Sequence, residues 1–222
     1  MTAVTSAYGL TAGGRGTLVV SRLREVAGVS VALEHPMIGP YAVEDWLALD
    51  PPVDGARLEL IFGYLHMNPA PSGEHQYLAY RLTRWMDDAL RAAGRTDLHV
   101  VPAVNVEIST AWRTALIPDL VVLNRRPVGV SFPADSLELA VEIWSPGNPR
   151  AERETKLAGY AAAGVPLVWT VDQGDQLRGL TLTAYRLEGG RYVAENTVKA
   201  GEPATLTAAP VPITLDLADL GA

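Results

Sequence analysis

Apolar residues recur along this chain at two different spacings, which predict helices in some segments and strands in others. Spacings of three and four residues predict a short helix over 41–49 and a long one over 74–93. Ser72 is a suitable N-cap for the long helix, and Gly94 is placed to end it. A third helix is predicted over 150–163, because a glycine and then a proline follow it.

Strand patterns lie between these helices and after the last one. Two short strands over 58–62 and 64–67 meet at Gly63 and predict a hairpin. Alternation over 104–108 predicts a half-exposed strand. Mostly apolar stretches, typical of buried strands, cover 117–123, 137–144 and 167–171. The glycine-punctuated remainder predicts a β-rich C-terminal meander, and a helix between buried strands favours an α/β or α+β class.

The first 36 residues lack a comparable pattern, because Gly13, Gly14 and Gly16 interrupt the early periodicity. We therefore expect residues 1–36 to be an N-terminal appendage, for which disorder is one expectation. A length of 222 residues suits one domain. The predicted organisation is a single domain over 37–222.

Composition excludes several classes of protein. The chain has no cysteine, so disulfide scaffolds, thiolate zinc sites and cysteine nucleophiles are excluded. The sequence contains no run of about 18 apolar residues, so no membrane span is predicted. The N-terminus lacks the pattern of a secretory signal, so the expected location is the cytoplasm.

The net charge of −7 argues against indiscriminate binding to polyanions, which requires clustered cations. The charge is unevenly distributed, however. Between residues 81 and 126 there are seven arginines and five acidic residues. The middle of the chain can therefore carry a locally positive face.

Two carboxylates stand out because they lie inside apolar strand patterns: Asp119 and Glu142. A carboxylate in a buried strand is costly unless it is paired or bound to a cation. Two at neighbouring strand ends would repel each other and favour a divalent metal with hard oxygen ligands. The alternative is that each acid caps a strand or pairs with an arginine such as Arg113 or Arg153.

Lys156 is a third candidate because lysine is rare here. The chain has two lysines, Lys156 and Lys199, against sixteen arginines. A lysine where arginine is the rule indicates a need for a compact point charge. The alternative is a surface ion pair with Glu152, four residues earlier on the same predicted helix.

Glu59 and His75 give weaker signals. Period two places Glu59 on the opposite side of its strand from Leu58 and Leu60, which predicts exposure to solvent. His75 lies in the first turn of the long helix, where a histidine is usually a surface residue. No phosphate-binding loop, zinc-protease motif or serine nucleophile motif accompanies them.

Taken together, the polar and glycine positions resemble one family. They are Glu59, Gly63, Pro69-Ala70-Pro71, His75, Pro118-Asp119, Glu142 to Pro146, Lys156, Tyr160, Gly164 to Pro166 and Trp169. Their order and spacing resemble the Uma-type restriction endonucleases, a branch of the PD-(D/E)XK nuclease superfamily. The resemblance runs from about residue 41 to the C-terminus and is most specific over 117–123, 141–146 and 156–169.

The resemblance implies an α/β fold with a restriction-endonuclease-like core, in which helices flank a mixed central sheet. Asp119 and Glu142 match the two acids of the superfamily pattern. A lysine usually follows the second acid by two residues, but Trp144 occupies that position here, and the family moves the lysine onto the next helix, at Lys156. Phe62 departs from the acidic residue that usually precedes the family's glycine. The implied catalytic residues are Asp119, Glu142, Lys156, Glu59 and His75, and the implied metal ligands are Asp119, Glu142 and Glu59.

The implied function is a Mg²⁺- or Mn²⁺-dependent endonuclease that hydrolyses phosphodiester bonds in DNA. A homodimer is expected by analogy with nucleases that cut both strands. A catalytically silent DNA-binding or regulatory module is the alternative, favoured by the acidic charge and the scarcity of lysine. A glycosidase using the two acids ranks last, because it makes no use of Lys156.

Overall fold

The computed structural model describes residues 8–11, 17–20, 39–173 and 179–220 of the chain. Strands β1 (Tyr8–Thr11) and β2 (Thr17–Val20) pair in an antiparallel manner. The rest of the predicted appendage lies outside the described residues. The helices are α1 (Val43–Leu47), α2 (Gly73–Ala92) and α3 (Arg150–Ala162). Within the described ranges, no helix is both long and apolar enough to cross a membrane.

Thirteen further strands lie in the described residues. They are β3 (Arg57–Ile61), β4 (Tyr64–Asn68), β5 (His99–Pro102), β6 (Asn105–Ser109), β7 (Thr114–Leu116), β8 (Leu120–Leu123), β9 (Ser131–Pro133), β10 (Leu137–Trp144), β11 (Leu167–Asp172), β12 (Thr181–Glu188), β13 (Arg191–Lys199), β14 (Ala204–Leu206) and β15 (Ile213–Leu215). Short 3-10 helices cover Ala134–Ser136 and Leu217–Leu220.

A six-stranded mixed sheet forms the centre of the fold, in the order β13-β12-β11-β10-β8-β5. Strands β10 and β11 are parallel, and α3 connects them as a crossover helix. A second sheet has the order β4-β3-β7-β6-β9, and β14 pairs with β15. This architecture confirms the predicted α/β class, with a mixed central sheet, flanking helices and a β-rich C-terminal end.

Alternation along β10 divides the apolar core between the two faces of the central sheet. Leu139, Val141 and Ile143 pack in the cluster that contains the apolar residues of α2. Ala140 packs on the opposite face with Tyr160 of α3. By the same period, Glu142 lies on the α3 face, so an acidic side chain enters the core beside that helix.

The predicted strand over 117–123 is wrong at its start, because β8 begins only at Leu120. Pro118 cannot donate a backbone hydrogen bond to a sheet ladder, which interrupts the strand before Asp119. The Asp119 N–H still donates to the Val141 carbonyl at 3.1 Å. Strands β5, β7 and β9 were not predicted, because segments of three or four residues are too short to show periodicity.

The predicted hairpin at Gly63 is formed by β3 and β4 with a two-residue turn, since Ile61 pairs with Tyr64. Both turn residues have positive φ, 52° at Phe62 and 84° at Gly63, as in the type I′ turns that suit hairpins. The Gly63 N–H donates to the Arg113 carbonyl at 2.7 Å, and the Gly63 carbonyl accepts from the backbone of residue 41 at 2.7 Å. The turn is therefore fixed on both sides.

Replacement of Gly63 should test how strictly this turn is required. A Cβ at Gly63 would lie 3.1 Å from Pro40 Cβ and 3.3 Å from Arg113 Cδ, in a backbone conformation that L-residues disfavour. Gly63→Ala should lower the free energy of unfolding by about 1–2 kcal/mol, measured by urea denaturation. Gly73→Ala is the control, because a Cβ at Gly73 would meet no other atom within 4 Å and the φ of Gly73 is not positive. An equal loss in both variants would contradict this account of the turn.

Candidate active site

Side chains from both large sheets and two helices converge on the α3 face of β10. Asp119 directly precedes β8, and its Oδ2 accepts from the Ile143 N–H of the neighbouring strand β10, one residue after Glu142. The β3–β4 hairpin contributes Arg57, Glu59 and Asn68. Helix α2 contributes His75, and helix α3 contributes Lys156 and Tyr160.

Lys156 lies at the centre of this group. Its Nζ is 2.9 Å from the Glu59 carboxylate and 3.4 Å from Glu142 Oε2. The side chain of Lys156 is 5% exposed and that of Glu59 is 1% exposed, so this is a buried charge cluster. The ammonium group also lies 5.7 Å from the centre of the Trp144 ring, within cation–π range. The alternative of a surface ion pair with Glu152 is therefore wrong.

Glu59 is enclosed on every side, and the predicted exposure to solvent is wrong. Strand β3 lies between β4 and β7 in the second sheet, and Glu59 is 1% exposed. Glu59 Oε1 accepts from the Ile117 N–H at 2.8 Å, and Oε2 accepts from Asn68 Nδ2 at 2.8 Å. These bonds hold the carboxylate against Lys156.

Asp119 is paired with two residues from other elements. Its Oδ1 accepts from Arg57 Nη1 and lies 2.7 Å from His75 Nε2, while its Oδ2 accepts from the Ile143 N–H at 2.7 Å. Because an ionised carboxylate only accepts, His75 Nε2 carries a proton in this contact. The expectation of a surface histidine is wrong, since the His75 side chain is only 12% exposed. The Ser72 cap fixes its backbone by accepting from the His75 N–H at 3.3 Å.

No role was predicted from the sequence for Tyr160, Arg57 or Asn68, although each contacts an acid of the site. Tyr160, one helical turn after Lys156, donates its hydroxyl to Glu142 Oε1 at 2.6 Å. Arg57 precedes Glu59 by two residues, so period two places both side chains on one face of β3. The i,i+4 spacing and the period-two spacing were the signals that could have identified Tyr160 and Arg57.

Burial and neighbouring charges separate the pKa values of the two central acids. Burial raises the pKa of Glu142 to about 8, and the charges of Asp119 and Glu59 add to this rise against the opposing effect of Lys156. Burial also acts to raise the pKa of Asp119, but the hydrogen bond and charge of His75 and the charge of Arg57 hold it below its ordinary value. Burial lowers the pKa of Lys156, yet Glu142 and Glu59 raise it overall, so the ammonium stays protonated.

The site therefore has more acid than cation. Three buried carboxylates face two permanent cations, Lys156 and Arg57, and His75 adds a positive charge only when it is protonated. A proton on Glu142 or an added cation would neutralise the excess. Such an arrangement can bind a hard cation and present a fixed ammonium beside it.

The mixed central sheet and its flanking helices are those of a restriction-endonuclease-like α/β protein. A family model described as "Uma2: Putative restriction endonuclease" matches residues 43–218. The chain belongs to this family. It is also similar to a solved structure from Anabaena variabilis, described as a putative nuclease belonging to DUF820, with a TM-score of 0.62 and 19% identity over 82% of this chain and 98% of that one. No curated protein matches the chain.

The pKa of Glu142 leads to a prediction about stability and pH. Because its folded pKa of about 8 lies above its ordinary value of 4.5, the folded state binds the proton more tightly. Glu142 should therefore make the metal-free protein less stable as pH rises from 4.5 to 8, by up to about 1.4 kcal/mol per pH unit. Glu142→Gln should flatten this dependence, measured by urea denaturation at several pH values.

Glu154→Gln is the control for this measurement, because Glu154 is 61% exposed and pairs with Arg150 on the surface of α3. That variant should keep the pH dependence of the wild type. A Glu142→Gln profile as steep as the wild-type profile would contradict the assignment.

Proposed function

We propose that this protein is a metal-dependent endonuclease that hydrolyses phosphodiester bonds in DNA, with Mg²⁺ or Mn²⁺ as its cofactor. The observation that carries the proposal is the buried ammonium of Lys156, held between Glu59 and Glu142. Membership of the restriction endonuclease family supports a nucleic-acid substrate. A cytoplasmic location and a homodimer stay predictions from the sequence.

The donor chemistry of the site fits a hard divalent cation. Asp119, just before β8, and Glu142, on the neighbouring strand β10, would provide carboxylate oxygens to it. Among the residues with described side chains, no three acidic or histidine side chains are arranged to hold a metal. Mg²⁺ does not require three, because it is usually bound by one or two carboxylates together with water and substrate phosphate. The role of Glu59 as a ligand stays a prediction, since both of its oxygens have protein partners.

The residues of the site have distinct roles in this proposal. Asp119 and Glu142 would hold the cation, which supplies Lewis-acid polarisation of a phosphate and lowers the pKa of water. Lys156 would stabilise the negative charge that develops on the phosphoryl oxygens. Glu59 positions Lys156 through their ion pair, and Tyr160 orients Glu142 through its hydroxyl.

A cavity of about 150 Å³ next to Lys156 supports a nucleic-acid substrate. It lies between α3 and the β3–β7 part of the second sheet, and Phe62 and Trp112 line it. These aromatic side chains are 59% and 52% exposed. Exposed aromatic faces are surfaces on which unstacked bases bind. The exposed Arg113, next to Trp112, adds a positive charge suited to phosphate.

Cleavage assays with defined substrates test the proposed activity. The purified protein is incubated with plasmid DNA, single-stranded DNA and RNA, with Mg²⁺, with Mn²⁺ and with a chelator. Cleavage of DNA that requires a divalent cation is the expected result. Cleavage of RNA alone would contradict the proposed substrate.

A catalytically silent DNA-binding module is the second candidate. The observation that favours it is that protein donors already contact every carboxylate oxygen of Glu59, Asp119 and Glu142. Binding of DNA without cleavage in any metal would favour this module over the nuclease.

Lys156→Met tests the role of the ammonium, because it retains the apolar length of the side chain and removes the charge. Under single-turnover conditions with saturating Mg²⁺, the cleavage rate should fall by about 10²–10³-fold. Lys156→Arg should restore only part of the rate, because a planar guanidinium differs in shape from an ammonium. Lys199→Met is the control, since Lys199 is exposed on β13. Equal rates in the wild type and Lys156→Met would exclude a catalytic role.

Metal binding should also be visible in stability. Mg²⁺ or Mn²⁺ at 100 times its dissociation constant should raise the free energy of unfolding by about 2.7 kcal/mol. Glu142→Ala should lose this gain and stabilise the metal-free protein, since it removes a buried acid. Glu154→Ala should keep the gain because its side chain is exposed on α3. An unchanged gain in Glu142→Ala would count against Glu142 as a ligand.

A further inference from the structure

Arg57 pairs with Asp119 inside the candidate site, although neither the sequence pattern nor the family resemblance assigned it a role. The Asp119 side chain is 3% exposed and that of Arg57 is 17% exposed. The ion pair is therefore enclosed on the acid's side and open to solvent on the arginine's side. Arg57 is the first residue of β3, next to the exposed 53–55 turn.

The contacts of Asp119 leave little room for another cation. Arg57 and His75 both contact Oδ1, and the Ile143 N–H takes Oδ2. A carboxylate oxygen has two lone pairs, so the two contacts at Oδ1 use its capacity. A divalent cation that approached Asp119 through Oδ1 would also be repelled by the guanidinium, which is always charged.

We propose that Arg57 competes with the divalent cation for Asp119, and that cation binding transfers the guanidinium from Asp119 to a phosphate of the substrate. This inference rests on the proposed function, because it assigns a residue to the cation and phosphate of that same site. The exchange breaks one ion pair and forms another, and no covalent bond changes.

The chemistry of arginine suits the second half of this exchange. A guanidinium released from Asp119 would leave a permanent positive charge near the site, partly open to solvent. Its planar fork matches two phosphate oxygens, as it matches a carboxylate. Lys156 is not released in this way, because Glu59 and Glu142 hold its ammonium in place. Arg57 thus binds the phosphate only after the cation has arrived.

Isothermal titration calorimetry with Mg²⁺ or Mn²⁺ alone tests the competition without any need for cleavage. Arg57→Gln removes the charge and should tighten binding of the cation at least tenfold. Arg57→Lys keeps a charge but loses the fork, so its affinity should lie between those of Arg57→Gln and the wild type. Arg150→Gln is the matched control, because Arg150 is 89% exposed and pairs with Glu154 outside the site. Its affinity should equal that of the wild type.

Thermal unfolding separates competition from a purely structural ion pair. Arg57→Gln should lower the melting temperature of the metal-free protein, because it leaves Asp119 without its guanidinium. Saturating Mg²⁺ should then raise the melting temperature by more in Arg57→Gln than in the wild type. An equal loss in the metal-free and metal-saturated states would show that the ion pair is structural and would overturn the inference.

DNA binding on a Lys156→Met background tests the transfer to phosphate. With Mg²⁺ present, Arg57→Gln should reduce the slope of log affinity against log salt by about one, the value for one lost phosphate contact. Without a divalent cation, the slope should not change. A slope that is unchanged with Mg²⁺ would overturn the transfer.

The calorimetric outcomes distinguish this inference from the proposed function. Equal cation affinity in the wild type, Arg57→Lys and Arg57→Gln would overturn the competition and leave the metal site intact. Absence of cation binding to all of them would overturn the metal dependence itself, and the inference with it.

Discussion

The enclosure of the Lys156 ammonium between Glu59 and Glu142 is the interaction on which the arrangement of this site depends. The two acids belong to different sheets, since Glu59 lies on β3 and Glu142 on β10, while the lysine comes from α3. Removing the Lys156 ammonium would leave buried acids without a compensating charge, which is strongly destabilising in proteins. The same three side chains therefore connect the two sheets and the crossover helix, and hold the candidate catalytic groups in place.

A cluster of this kind is retained at a cost, because burying charges removes them from water. An apolar core of the same shape would do as well for stability alone. Burial, together with the charges of Asp119 and Glu59, raises the pKa of Glu142 to about 8, a direction that disfavours the ionised form in the absence of a further cation. Perturbed carboxyl groups in this setting are typical of functional sites. The raised pKa of Glu142 and the family to which the chain belongs thus both favour this cluster as the candidate active site.

The sequence could predict the elements that carry a clear period, and it could not predict how their polar residues meet. The long helix, the 137–144 strand and the hairpin at Gly63 follow from local patterns, and all three are present. The burial of Glu59 depends on how β3 packs in the fold. A local sequence pattern carries no information about that packing. The pairing of Arg57 with Asp119 joins residues 62 positions apart, so it is fixed by topology alone.

Lys156 lies on helix α3, whereas the superfamily pattern places its lysine on the strand that carries the second acid. Two residues after Glu142, on the same face of β10, Trp144 occupies the place of the lysine in the superfamily pattern. Its ring lies 5.7 Å from the Lys156 ammonium and 5.5 Å from the Arg153 guanidinium, so cations from α3 cover it. Lys156 still reaches Glu142, because the crossover helix runs over this face of the sheet. In the proposed site, Lys156 would supply from α3 the charge that the superfamily pattern places on the strand, and the π face of Trp144 stabilises its ammonium.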